Sequence, residues 1–270
     1  MKLISFEKEV SIMENKMNNE KIKQIYGGDP REIPLYGFAE TSRYLKINIR
    51  TLSSWVRGRT YKLDDGTEKW WSPVIHLPDS NKPLLSFYNL IEVHVLSGIR
   101  RIHNVQFYKV RSALNYLEKE FPSKNPLAKR DFWTDKFDIF IKESGDLICA
   151  SLHGQRVIQQ AVEQYLHRIE RDLDSFPFRL YPFSNEIKFK MKDSKHSPLD
   201  LEIQPKNIVI DPLISFGRPT LTGTGVPTNV IAGRFRAGEN EKALAKDYDI
   251  EESQIKEALS YEGITTRKAA

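Results

Sequence analysis

Apolar positions recur at helical spacing in several stretches of the chain. They begin between Gly37 and Gly58 and continue through Phe87, Leu90, Ile91, Val95 and Ile99. Ser86 stands where the second of these helices, running to about His103, needs an N-cap. Val110, Leu114, Leu117 and Phe121 form another stripe, which Pro122 stops. Further along, Val157, Ala161, Val162, Tyr165, Leu166 and Ile169 form a helical stripe that ends at a Phe176-Pro177 break. Strand-like alternation appears between Thr60 and Trp71, split by the turn residues Asp64-Asp65-Gly66. A second hairpin is predicted from Phe137–Ile141 and Leu147–Ser151 around Glu143-Ser144-Gly145-Asp146, with short strands at Leu180–Phe183 and Ile187–Met191.

These elements predict a mainly α chain with small antiparallel β elements. The expected order is an N-terminal extension over 1–30, a loose helix or disordered lead in which Met13 or Met17 could be the true start, and then a domain over 31–125. A middle hairpin and helix follow over 126–191, then a charged linker over 192–207. A three-helix module over 208–263 and a tail over 264–270 complete the chain. In that module Thr228 is read as capping a helix through Arg236, with Gly238 ending it. Asn240 is read as capping the next helix, and the last begins near Ser253.

Charge sharpens this partition. The 270 residues carry 41 Lys and Arg against 36 Asp and Glu, net +5, too small an excess for a histone-like coating of nucleic acid. Between Arg31 and Asn125 there are 15 basic and 9 acidic residues, net +6, whereas Gly238 to Glu262 holds 3 and 8, net −5. A basic front and an acidic back suggest two binding tasks of opposite character, although scattered surface charge also produces swings of this size. With 40% hydrophobic residues there is material for a core, and a single cysteine, Cys149, rules out an internal disulfide framework, as expected in a reducing cytoplasm. No apolar run approaches the ~20 residues a membrane span needs.

The front carries the strongest motif. Ser42, Leu45, Ile47, Leu52 and Trp55 have the small-then-apolar spacing of two short helices packed across a tight turn, with Asn48 placed to cap the second. Such a pair offers its second helix to a major groove, which would put Asn48, Arg50, Thr51, Ser54 and Arg57 toward DNA. The following hairpin, with Arg59, Lys62 and Lys69, would lie on the backbone as a wing. The same pattern also fits a plain helical hairpin with Trp55 in its core, and the net +6 tips the reading toward DNA. From Tyr36 to Phe121 the segment resembles the winged helix-turn-helix of MerR-type regulators, a likeness continued by Gly98-Ile99-Arg100-Arg101.

The back opens with Asp211-Pro212 and continues with Gly217-Arg218-Pro219, Gly223-Thr224-Gly225-Val226-Pro227, Ala237-Gly238 and Lys246-Asp247-Tyr248. No Gly-Lys-Ser/Thr follows these glycines, so a phosphate loop is excluded. The segment from Ile208 to Tyr261 resembles the small C-terminal domain of VapB-like antitoxins, whose partners are PIN-fold ribonuclease toxins. Many members of that family carry Arg where this chain has Gly225, so no role of that side chain carries over. Together the two motifs imply similarity over nearly the full length to the larger VapB-like antitoxins. The last two helices could also be read as a second helix-turn-helix, but their net −5 argues against groove binding.

No chemistry of catalysis emerges. The histidines at 76, 94, 103, 153, 167 and 196 show no ligand spacing, and His94 on an apolar stripe reads as a packed side chain. Asp131, Asp135 and Asp138 read as solvated loop acids, and no serine sits in a nucleophile elbow. The expectation is therefore a cytoplasmic antitoxin with no enzyme activity, metal or cofactor. It would repress its own operon through operator DNA, as a homodimer or within a toxin–antitoxin hetero-oligomer. The resemblance implies a basic side chain or an extended segment set into the acidic toxin site, for which Arg234 and Arg236, or the terminal Arg267 and Lys268, are the candidates. A ligand-responsive MerR-like regulator without a toxin partner is the alternative from another class. An architectural DNA-binding protein is a weaker third.

Overall fold

A computed structural model describes residues 24, 27–62, 66–101, 107–120, 122, 124–129, 162–172, 175–184 and 204–264. The sequence-predicted hairpin at 137–151, the strand at 187–191, Cys149 and the three loop aspartates fall outside them.

The front begins with α1 (Phe38–Tyr44) and α2 (Ile49–Arg57). Glu40 folds back to accept the Gly37 N–H at 3.1 Å, and Asn48 Oδ1 accepts the Arg50 N–H at 2.8 Å, so each helix start has a satisfied donor. Between the helices, Ser42 Oγ donates to the Ile47 carbonyl at 2.6 Å and closes the turn. Leu52 and Trp55 are fully buried, which fixes the angle at which α2 leaves the core. Strands β1 (Arg59–Lys62) and β2 (Glu68–Trp71) then pair antiparallel, Arg59 opposite Trp71 and Lys62 opposite Glu68. Helix α3 (Phe87–Arg101) starts behind Ser86, whose Oγ accepts the Asn89 N–H, and its stripe of Leu90, Ile91, Val95 and Ile99 is buried. Helix α4 (Phe107–Glu120) buries Val110 and Leu114 against the same core.

The middle departs from the sequence-based expectation. The helix containing Val162 to Leu166 ends early, with the Arg168 N–H reaching back to Tyr165, and Ile169 opens a strand, β3 (Ile169–Arg171). Its partner β4 runs over Pro177–Leu180 instead of 180–183, because Ile169 pairs with Leu180 and Pro182 has no N–H to continue the ladder. Arg168 stands at the break. Its guanidinium is buried and donates to the carbonyls of Tyr181, Gln204, Pro182 and Pro205 at 2.6–3.0 Å, stitching together three segments distant in sequence. Burial lowers its pKa to about 10, so it remains charged at neutral pH.

The C-terminal module starts with β5 (Ile208–Val209), paired to β6 (Thr220–Leu221), and closes with α5 (Thr228–Arg236), α6 (Glu241–Tyr248) and α7 (Glu252–Tyr261). Asn240 caps α6 through the Ala243 N–H and Gly238 follows the end of α5 with φ 105°, as the sequence indicates. Thr228 is not the cap of α5. It is the first helical residue behind Pro227, and its Oγ1 donates to Glu262 at 2.5 Å. Ile231, Leu244, Ile255, Leu259 and Tyr261 form the module's own core. Its first strand is nonetheless continuous with the middle, since Leu180 and Ile210 exchange backbone hydrogen bonds at 3.0 and 2.8 Å.

One buried acid sits in the front core. Glu92 of α3 is 2% exposed and accepts from Asn89 Nδ2 at 3.1 Å and Asn125 Nδ2 at 3.0 Å, and burial pushes its pKa from 4.5 to about 7. A folded-state pKa above the unfolded one means that the native state holds a proton the unfolded chain releases. Stability is therefore lost as pH rises from about 4.5 to about 7 and is level beyond. Glu92→Gln is expected to flatten this dependence and to raise stability at pH 8 by about 1–3 kcal/mol, read from denaturant midpoints between pH 5 and 8.

Candidate nucleic-acid and partner interfaces

The outer face of α2 follows from its buried one. With Leu52, Trp55 and Val56 turned inward, Ile49, Arg50, Ser53, Ser54 and Arg57 come to the outside at i, i+3 and i+4 spacing. Arg50 is exposed with no side-chain partner among the described residues, and the first turn of α2 holds no acid. Asn48 is exposed, but its Oδ1 is engaged in capping. Ser54 Oγ donates to the Thr51 carbonyl at 2.8 Å, and Arg57 lies over the Phe38 ring at 4.8 Å.

The wing separates the three cations assigned to it by sequence. Strand alternation and the register put Arg59, Lys69 and Trp71 on one face, and Lys62, Glu68 and Trp70 on the other. The first face turns toward α4, where the Arg111 guanidinium stacks on Trp71 at 5.3 Å and donates to the carbonyls of Ser72 and Ser54. Arg111 thereby ties the wing to the end of α2. Beside it lies an open groove of about 190 Å³ lined by Lys69, Trp70, Trp71, Ser72, Arg111 and Asn115. On the second face Lys62 approaches Glu68 at 3.9 Å, both well exposed. Trp70 is 58% exposed with its ring against Gly58, a position absent from the sequence reading. Adjacent tryptophans in a two-faced ribbon cannot both turn inward, and that was the signal available in the sequence.

The other end of the molecule meets this front directly. Tyr261 at the end of α7 is buried, its hydroxyl donates to the Tyr44 carbonyl at 2.9 Å, and Lys46 Nζ donates to the Tyr261 carbonyl while lying 4.5 Å from its ring centroid. Lys46 occupies the turn between α1 and α2 with φ 51°, and burial holds its pKa below the usual lysine value. The C-terminal module is therefore clamped to the turn that orients α2.

Of the four cations assigned to a protein partner, Arg267 and Lys268 lie outside the described residues. Arg234 is engaged within the chain: Nε donates to Glu239 at 2.7 Å, Nη1 to Asp247 at 2.5 Å, and its guanidinium lies over Tyr248. Arg236 is exposed. His94 is buried as expected, with Nε2 3.0 Å from the Tyr165 carbonyl and its ring stacked on Phe183. Among the described residues no group of three or more His, Cys, Asp or Glu could hold a metal ion, and no helix is long and apolar enough to cross a membrane.

Comparison with known proteins gives this geometry relatives. Residues 34–114 match the family described as "Putative DNA-binding HTH domain", and residues 208–261 match "Protein of unknown function (DUF433)". The chain is 29% identical over 245 residues to "Putative antitoxin VapB45" of Mycobacterium tuberculosis (strain ATCC 25618 / H37Rv), covering 84% of this chain and 93% of that protein. It is 22% identical over 236 residues to "Uncharacterized protein Rv2308" of the same organism, covering 84% and 89%. The crystal structure of Rv2018 from Mycobacterium tuberculosis shares the fold, with a TM-score of 0.54 at 24% identity over 84% of this chain and 98% of that one.

The junction between α2 and the wing has one residue that can be tested alone. Gly58 has φ 73°, and a Cβ there would come 2.4 Å from the Trp71 carbonyl and 2.6 Å from the Trp70 ring. Gly58→Ala is expected to destabilise the chain by about 2 kcal/mol or more, seen as a lowered denaturant midpoint.

Proposed function

From a chain similar over most of its length to a VapB-type antitoxin, and joining a helix-turn-helix front to a DUF433 module, we propose an antitoxin that represses its own operon. The front, taken as 31–125, reads operator DNA with α2 in the major groove. The module over 208–263 holds a PIN-type ribonuclease toxin and blocks its metal-dependent site, in the cytoplasm. A single winged front reads few base pairs, so selective binding requires two copies on one operator.

The observation that carries this reading is the electrostatic division between two clamped parts. The front carries exposed cations on α2 and the wing, while the stretch from Gly238 to Glu262 is net −5. Phosphate contacts supply sequence-independent affinity at the first, and like charge keeps DNA from the second. A second reading draws on the groove beside Trp71 and Arg111: a ligand-responsive regulator in which a small molecule there moves the wing. Purification with the product of the adjacent reading frame separates the two. Stable association and loss of ribonuclease activity support the antitoxin, whereas a small-molecule effect on DNA affinity without a protein partner supports the sensor.

On DNA, Arg50→Ala is expected to weaken specific binding by roughly 1–3 kcal/mol, while Lys62→Ala weakens all sequences alike. A mobility-shift titration against operator and random duplex reads both; equal retention by the two variants counts against the docking. In a mixed ribonuclease assay, deleting 267–270 and replacing Arg234 and Arg236 by Ala is expected to release toxin activity. Full inhibition by that variant would show that the blocking group lies elsewhere.

A further inference from the structure

The turn between β5 and β6 is the one described segment in which three consecutive residues take left-handed backbone. Ser215, Phe216 and Gly217 have φ of 48°, 56° and 69°, and the middle one is an aromatic that is 75% exposed. A bulky residue with positive φ is disfavoured, and a large exposed apolar side chain is unfavourable in water, so this turn carries both costs at once. Neither arises from loose backbone. Asp211, buried and ion-paired to Arg179 at 2.9 Å, accepts the Leu213 N–H at 2.9 Å. The Ile214 and Gly217 N–H groups bond to the carbonyls of Asp211 and Ile214, and Ser215 Oγ donates to the Gly225 carbonyl at 2.8 Å. Gly217 has no room for a side chain, since a Cβ there would come 2.1 Å from the Tyr36 hydroxyl and 3.2 Å from Leu35 Cδ2. The front thus braces the turn from below.

Around this fixed aromatic the surface is apolar, with Leu213 45% and Leu35 36% exposed. Two residues beyond Phe216 stands Arg218, exposed and without a side-chain partner among the described residues. The acid of the turn, Asp211, is buried and spoken for. We propose that the Phe216–Arg218 turn is the docking element for the toxin, with Phe216 seated in an apolar pocket of the partner and Arg218 directed at an acidic group on its rim. The proposal rests on the antitoxin reading and gives it a location.

The chemistry selects this occupant over two others. Nucleic acid would require several cations along a track, and the turn offers one beside three apolar side chains. A second copy meeting this patch through a two-fold axis would set Arg218 near its own mate with no acid of the turn free to neutralise it. An active site that binds divalent metal through carboxylates supplies the acidic rim, and a rigid aromatic held in its bound conformation loses little entropy on docking.

The test uses the full chain, the purified product of the adjacent reading frame, an RNA cleavage assay and a fluorescent operator duplex. Phe216→Ala and Arg218→Glu are each expected to weaken inhibition about tenfold or more, with operator affinity, oligomeric mass and thermal melting unchanged. Arg218→Glu alters only an exposed charge, so it reports even if Phe216→Ala folds poorly. If the wild-type chain inhibits and both variants inhibit equally well, the turn is not the docking element, and the antitoxin reading stands without it. If the wild-type chain neither binds nor inhibits that product, the antitoxin reading fails and this inference with it. Loss of operator binding or of self-association, with inhibition intact, would assign the turn to nucleic acid or to a second copy and overturn the proposal.

Discussion

The contact between Tyr261 and the α1–α2 turn is the constraint on which the rest of the molecule depends. A buried phenol needs a partner, and the acceptor it finds is the Tyr44 carbonyl, at the C-terminal end of the first helix of the helix-turn-helix. Lys46 closes the contact from the other side, through the Tyr261 carbonyl and ring. The last described helix is thus fastened to the turn that aims α2, although more than two hundred residues separate them in sequence. Elsewhere among the described residues the module is joined to the rest of the chain by the Leu180–Ile210 bridge, the Arg179–Asp211 ion pair, the Ser184–Glu257 hydrogen bond and the packing of Gly217 on Tyr36.

A fastened junction changes what opposite charges in the two parts mean. On a flexible tether, a cationic module and an anionic one would be drawn together, and the acids of α6 and α7 would compete with phosphate for the cations of α2. Here part of the module's charge is satisfied internally, with Arg234 between Glu239 and Asp247, and the remaining surface is held at a fixed place. Arg168 performs the corresponding task in the middle. Four carbonyls accept from it, so it fixes the path of three segments through hydrogen bonds to the backbone.

Much of the architecture was legible in the sequence because it rests on local chemistry. The caps at Asn48, Ser86 and Asn240, the glycine after α5 and the wing hairpin each depend on residues a few positions apart. Where the reading missed, the deciding group came from far away. Ile169 continues a helical stripe by spacing alone, yet it pairs with Leu180, next to an Arg168 whose guanidinium bonds to carbonyls far along the chain. Thr228 has the chemistry of a cap, but its hydroxyl is taken by Glu262 thirty-four residues on. Among the candidate site residues, Arg50 and Arg57 lie on the exposed face of α2 as periodicity required. The three wing cations could be assigned to faces only once the register was known. Arg234 shows the opposite limit, since a basic residue in the last turn of a helix looks available until its two carboxylates are located. The prominence of Phe216 depends on three consecutive left-handed residues, which the sequence Ser-Phe-Gly does not announce.

One molecule is proposed to serve two partners at once, so the decisive measurement is the mass of the assembly. Full-length chain, operator duplex and the purified product of the adjacent reading frame would be mixed at micromolar concentrations and followed by size-exclusion chromatography with light scattering. A single species containing all three, with the ribonuclease inactive, is the result expected of a DNA-binding front and a toxin-binding back fastened in one molecule. A duplex complex from which that product is always absent, at any ratio and with its ribonuclease activity undiminished, would contradict the account.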